Sequence, residues 1–180
     1  MTMRLAALVF LVSAAVATTN ASAHEITIGP LKLTDLWTRA MPPGAPVGGY
    51  TFCPDVCPTT LFDATNWMKA LGPDADKLKF YFMTVDPERD TKAAIAEYLQ
   101  AFDPRMIGLT GSPDAVEKAL KAFRVYWRKV PADTGGYTMD HTASVFMLDA
   151  DGSFAGAIAY QEPEEEVLPK LRKLIAGSSP

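Results

Sequence analysis

The sequence predicts an α/β fold in which one sheet is covered by helices on both faces. Three observations carry this expectation. Apolar residues recur at helical spacing in some segments and in short continuous runs in others, and the two kinds alternate along the chain. Gly, Pro and Asp-Gly punctuate the joins between them. A composition 48% hydrophobic and 21% charged, without repeats or low-complexity stretches, is that of an ordinary globular domain.

The elements follow in order. Residues 24–34 alternate apolar and polar around Ile26, Ile28, Leu31 and Leu33 and read as one or two short strands. Pro42-Pro43-Gly44 and Gly48-Gly49 read as loop. Thr59 to Leu71 carries Leu61, Phe62, Thr65, Met68 and Leu71 at helical spacing, and Gly72-Pro73 ends it. Leu78 to Val85 is a strand buried on both faces, followed by the loop Asp86-Pro-Glu-Arg-Asp90. Thr91 to Phe102 is an amphipathic helix, for which Asp90 suits the N-cap, and Met106 to Leu109 is a short strand. Ser112 caps a helix with Pro113 at its first position, running to about Lys129. Ser144 to Leu148 and Phe154 to Tyr160 flank the hairpin turn Asp149-Ala-Asp-Gly152, and Glu164 to Ala176 closes the chain as a helix.

The chemistry concentrates in Tyr50-Thr-Phe-Cys-Pro-Asp-Val-Cys-Pro-Thr-Thr60, which holds both cysteines of the chain, Cys53 and Cys57. Proline is accepted in the first turn of a helix and not in its interior, so Pro58 places the helix start near Cys57 and leaves Cys53 in the preceding loop. The free N–H groups and partial positive charge of a helix N-terminus favour a thiolate, which is both nucleophile and metal ligand. The i, i+4 spacing permits a disulfide after local adjustment, and it also lets two sulfurs converge on one soft ion. A structural disulfide, a redox pair and a metal site all remain open on this pattern. A cysteine pair at the mouth of the first helix, then a parallel strand and a closing hairpin and helix, make a three-layer, thioredoxin-like arrangement. The spacing has one residue more than Cys-x-x-Cys.

His141 stands just before the hairpin; the other histidine is His24. Two thiolates and an imidazole form a soft, low-coordinate set that selects Cu(I). Zinc is the competitor, but it calls for a fourth ligand and finds no third cysteine or paired histidine. Asp140 beside His141 is a turn carboxylate or a group orienting a ligand. Asp86 ends a strand, where sites in α/β sheets collect.

Net charge of −4, an acidic pI and the lack of a Lys/Arg cluster argue against nucleic acid as a partner. Met1 to Arg4, the apolar run Leu5 to Val16 and Ala21-Ser-Ala23 read as a secretory signal, residues 1–23. The expected destination is the oxidising bacterial periplasm, with no stable membrane insertion after cleavage. An uncleaved membrane anchor is the alternative.

At four separated motifs the chain resembles the Sco/SenC family of thioredoxin-fold copper chaperones. They are residues 50–60, Val-Asp-Pro-Glu-Arg-Asp at 85–90, Phe-Asp-Pro-Arg-Met-Ile-Gly-Leu-Thr-Gly at 102–111 and Asp-His-Thr-Ala-Ser at 140–144. The resemblance implies copper as the bound ion, Cys53, Cys57 and His141 as its ligands, and Asp86 as a supporting carboxylate. It implies as partner the copper-bearing subunit of cytochrome c oxidase; other periplasmic copper chaperones or thiol reductants are further expected partners, since thiols in an oxidising compartment need a reducing partner or a metal. Residues 24–49 instead resemble the start of a PCuAC-type periplasmic copper chaperone, through His-Glu-Ile-Thr-Ile-Gly, Leu-Trp-Thr-Arg-Ala-Met-Pro-Pro-Gly and Val-Gly-Gly. The chain therefore reads as a signal (1–23), a PCuAC-like fragment (24–49) and a thioredoxin-like Sco/SenC domain (50–180). On this reading the strand that normally precedes the cysteine helix is missing. The strand at 78–85 has an open edge, residues 24–34 are candidates to pair there, and stability suffers.

Two functions from different classes fit. One is a Cu(I)/Cu(II) metallochaperone delivering copper to an oxidase, which needs His141 as well as the cysteines. The other is thiol–disulfide exchange by Cys53 and Cys57, keeping cysteines of an oxidase subunit reduced. A chain damaged by loss of its strand is a third reading.

Overall fold

The computed structural model describes residues 22–26, 44–133 and 135–177. The expected signal up to Ala21, the strand residues Ile28, Leu31 and Leu33, and Pro42-Pro43 lie outside the described residues. No described helix is long and apolar enough to cross a membrane.

The elements are β1 (Ser22–Ile26), β2 (Gly44–Gly49), α1 (Val56–Leu71), β3 (Lys79–Thr84), α2 (Lys92–Leu99), β4 (Ile107–Gly111), α3 (Pro113–Ala122), β5 (Trp127–Pro131), β6 (Tyr137–His141), β7 (Val145–Leu148), β8 (Phe154–Ile158) and α4 (Glu164–Ile175). A 3₁₀ turn, Gly72–Lys77, links α1 to β3. Six strands form one sheet in the order β1-β4-β3-β2-β7-β8. β2, β3 and β4 run parallel, β1 runs parallel to β4, and β7 and β8 close the sheet antiparallel. β5 and β6 make a separate antiparallel ribbon.

Alternation along β3 separates the two faces. Phe80 packs its ring toward Trp67 of α1 and Phe82 toward Tyr98 of α2. Tyr81 faces the other way, with Leu148, Ile107 and Phe123. Helices thus cover both faces, in agreement with the thioredoxin-like expectation.

The missing strand is a correction. Gly44–Gly49 is β2, a strand in the middle of the sheet with all six residues buried. It pairs with β3 from Gly44↔Lys79 to Gly49↔Thr84. At Gly49 the lack of a side chain is demanded by close packing. A Cβ on Gly49 would stand 2.5 Å from Cε2 of Phe82 and 3.0 Å from Sγ of Cys57. The apolar volume comes from its neighbours, so a strand poor in large side chains still sits in a full core. Pro46 has no N–H to give, and the ladder to β7 is registered on either side of it, at Gly44↔Leu148 and Val47↔Val145. β3 consequently has no open edge, and β1 pairs with β4, Ser22↔Ile107 onward, rather than with β3. The boundary expected at residue 50 cuts through the sheet, and the expected instability loses its stated cause.

Three smaller corrections concern ends. α3 stops at Ala122, because Arg124 takes a left-handed backbone (φ 54°) and the chain turns into β5. Thr91, not Asp90, caps α2, accepting from the Ala94 N–H at 3.2 Å. His141, expected just before the hairpin, is the last residue of a strand of its own, β6.

The packing at β2 yields a stability test. Gly49→Ala is expected to lose about 1–3 kcal/mol by overpacking against Phe82 and Cys57. Gly48→Ala meets only ordinary contacts, Val125 at 3.5 Å and Val85 at 3.6 Å, and is expected to hold or raise stability. Urea denaturation of both variants separates this account from a loop reading, under which the two would behave alike.

Candidate metal centre

The site grows from the first turn of α1. Residues at a helix N-terminus have N–H groups without helical partners. The Cys57 N–H donates a hydrogen bond to Sγ of Cys53 at 3.3 Å, so the sulfur in the loop satisfies one of these free groups. The loop is shaped by a turn in which the Cys53 N–H donates to the Tyr50 carbonyl at 3.2 Å. Cys57 is buried and Cys53 half-buried, and both are free thiols.

The third group arrives on the ribbon. His141 Nε2 lies 3.4 Å from Cys57 Sγ. Its Nδ1 is 2.9 Å from the Thr142 carbonyl, an acceptor, which places the ring proton on Nδ1 and leaves Nε2 free to accept or to ligate. Sγ of Cys53, Sγ of Cys57 and a ring nitrogen of His141 lie within 4.8 Å of one another. Cys53 and His141 border a cleft of about 320 Å³ whose walls include Tyr50, Pro54, Asp55 and Met139, while Cys57 lies buried beneath them. Two sulfurs and one nitrogen beside an open cleft suit a soft ion that must enter and leave.

The two thiols are electrostatically unequal. The Cys57 thiol holds the Cys53 thiol down to about 4, aided by His141 and by backbone N–H groups, against burial that raises it. The Cys53 sulfur beside it, and then burial, push the Cys57 thiol up. Cys53 is therefore the thiolate and Cys57 keeps its proton.

Two carboxylates at the end of β3 brace the site. Asp86 is 1% exposed; it pairs with Nε of Arg89 and accepts from the Tyr137 hydroxyl at 2.9 Å. Asp90 is fully buried and accepts from the Thr51 hydroxyl at 2.7 Å, from the Thr51 N–H at 3.2 Å and from the Thr84 hydroxyl at 2.7 Å. Burial raises the Asp90 carboxyl, and the Thr51 and Thr84 donors oppose that. Asp140 does not join His141: its carboxylate pairs with Arg128 at 3.0 Å across the ribbon, and the Thr142 carbonyl orients the imidazole instead. The reason is strand alternation, which turns neighbouring residues of β6 to opposite faces.

Sequence reasoning missed Tyr50, which meets the His141 ring edge-on at 5.8 Å, and Arg89, which lies over it. The signal was available in the Tyr-Thr-Phe-Cys and Asp-Pro-Glu-Arg-Asp motifs, but neither spacing says that the two touch.

The SCO1/SenC family model matches residues 47–176. The chain belongs to the SCO1/SenC family. It is 38% identical over 132 residues to the mitochondrial SCO2 homolog of Mus musculus, covering 72% of this chain and 52% of that protein. It is 33% identical to an SCO2-like protein of Rickettsia conorii, covering 69% and 62%. Among solved structures, copper-bound ScoI of Bradyrhizobium japonicum is 43% identical, with TM-score 0.70, covering 76% of this chain and 87% of that one. Copper-bound yeast Sco1 is 31% identical, with TM-score 0.69, covering 77% and 78%. The chain spans about half the length of the curated vertebrate relatives it matches. The SCO1/SenC match begins at Val47, within β2, so the sheet includes residues on both sides of its start.

Thiol inequality predicts a reactivity profile. In the reduced, metal-free chain, alkylation of Cys53 rises with a midpoint near pH 4. Cys57 stays inert to neutral pH and above. Peptide mass spectrometry after timed iodoacetamide pulses reads both; equal rates at the two cysteines would contradict the assignment.

Proposed function

We propose that this chain is a copper chaperone that takes up one copper ion through Cys53, Cys57 and His141 and passes it to the copper-bearing subunit of a cytochrome c oxidase. The observation that carries the reading is the convergence of two sulfurs and one imidazole nitrogen within 4.8 Å, beside a cleft that Cys53 and His141 line. The copper held by ScoI of Bradyrhizobium japonicum and by yeast Sco1 supports it. A three-donor site leaves the ion accessible to an incoming ligand, so transfer proceeds by exchange of donors without a bare ion in water. Export by residues 1–23 to the periplasm suits such a task, and the PCuAC-like character of residues 24–49 suits the same compartment. Other copper chaperones or thiol reductants are the expected upstream partners, since loading requires both thiols reduced.

Cys57 retains its proton until the metal arrives, so uptake at neutral pH releases it. Cu(I) affinity is expected to rise about tenfold per pH unit around neutrality on that account. Titration against a chromophoric Cu(I) chelator at several pH values measures it. One ion per chain is expected for the wild type, with a large loss of affinity in Cys53→Ser, Cys57→Ser and His141→Ala. Unchanged affinity in His141→Ala would remove the imidazole from the site and leave thiol chemistry alone.

A second reading has its own support, a partly exposed Cys53 whose thiol is held down beside a buried Cys57 whose thiol is pushed up. Cys53 would attack a partner's disulfide, releasing one partner thiol. Cys57 would then displace the second, leaving a Cys53–Cys57 disulfide and a reduced partner. Air oxidation of the metal-free chain is expected to close that disulfide. Two thiols still alkylatable after prolonged exposure would rule out the exchange function.

A further inference from the structure

We infer that Arg89 is a positioning residue that holds the imidazole of His141 at the cysteine pair; the inference rests on the copper reading above. The cysteines and the histidine come from separate elements, the α1 entry and the β5–β6 ribbon. Among the described residues no sheet ladder joins the ribbon to β2. Tyr50 bridges the two halves through a hydrogen bond to the Met139 backbone, and Arg89 spans the same gap against Tyr50.

On the ribbon side, Nη1 of Arg89 donates to the Tyr137 carbonyl at 3.0 Å, and its guanidinium lies 3.8 Å from the centroid of the Tyr137 ring. Tyr137 opens the strand that His141 ends. On the cysteine side, the same guanidinium lies 4.8 Å from the ring of Phe52, the residue before Cys53. It also lies 5.7 Å from the ring of Tyr50, which meets His141 edge-on at an interplanar angle of 89°. The guanidinium is anchored from below by the buried carboxylate of Asp86, which Tyr137 also contacts through its hydroxyl. Its remaining nitrogen, Nη2, is buried and has no hydrogen-bond partner among the described residues, so the aromatic faces take up that side of the cation.

The planar fork explains why arginine stands here. A lysine carries the same charge but one compact ammonium, and it cannot donate to Asp86 and to the Tyr137 carbonyl in a fixed plane while lying flat between rings. Arg89 touches none of the three donor atoms. Its effect passes through Tyr50 and through the ribbon.

The test uses the full chain with Arg89→Met and Arg89→Lys. Arg89→Met is expected to bind one copper at saturation, with affinity lower by about tenfold or more. Pulsed EPR of the Cu(II)-loaded variant is expected to show the imidazole nitrogen modulation reduced to a minority of sites. Arg89→Lys falls between it and the wild type. Full modulation together with affinity within about twofold of wild type would overturn the inference. Should Arg89→Met not fold by circular dichroism, Arg89→Lys, which keeps the charge and loses the fork, carries the same two readouts in the same directions. A readout without copper keeps this question apart from the metal reading. In the metal-free chain the His141 Hε1 resonance feels the Tyr50 ring current and is expected to move toward its disordered position in Arg89→Met. An unmoved resonance counts against Arg89. A wild-type chain that takes up no copper sinks the metal reading, and the positioning role then stands or falls on that resonance.

Discussion

The site depends on how closely the first turn of α1 lies against β2. At Gly49 there is no room for even a methyl group between Phe82 and the sulfur of Cys57. That contact buries Cys57, turns the N-terminal end of α1 toward the loop, and leaves the Cys57 N–H pointing at Cys53. The unlike pair of thiols follows. One sulfur faces the cleft and is stabilised as a thiolate by N–H groups and a neighbouring S–H, while the other is enclosed and retains its proton.

The second requirement is to bring a histidine 84 positions downstream of Cys57 to the same cleft. The loop from Asp86 to Asp90 does this from both sides. Asp90 ties Thr51, two residues before Cys53, to Thr84 at the end of β3. Asp86 and Arg89 hold Tyr137 at the start of the histidine strand. Buried carboxylates are costly unless fully bonded. Here the bonds that satisfy them are the ones that link the two halves. A solvated loop of the same sequence would do neither.

Much of this was legible from residue types. Pro58 and the periodicity after it placed α1, Ser112-Pro113 placed the start of α3, and the soft donor set singled out Cys53, Cys57 and His141. What the sequence concealed has physical causes. β2 looked like loop because Gly and Pro ordinarily break strands, and the reason they are tolerated, a helix lying almost in van der Waals contact, belongs to the tertiary structure. The β5–β6 ribbon was hidden because Phe123 to Trp127 continues a helical pattern, and the break is made by a left-handed Arg124 instead of a glycine. Asp140 is beside His141 in sequence and yet bonds across the ribbon to Arg128, whereas Arg89, far away in sequence, lies against the ring that abuts the imidazole. The PCuAC-like character of residues 24–49 rests on the sequence alone, and residues 44–49 of that stretch belong to the sheet.

The central claim is that two sulfurs and one nitrogen of this chain form a single copper site. X-ray absorption of the Cu(I)-loaded protein tests it most directly, because the scattering shells count the donors by element. The account predicts two sulfurs and one nitrogen around each copper, with the outer-shell pattern of an imidazole ring. A shell of sulfur alone, or of light atoms alone, would contradict it.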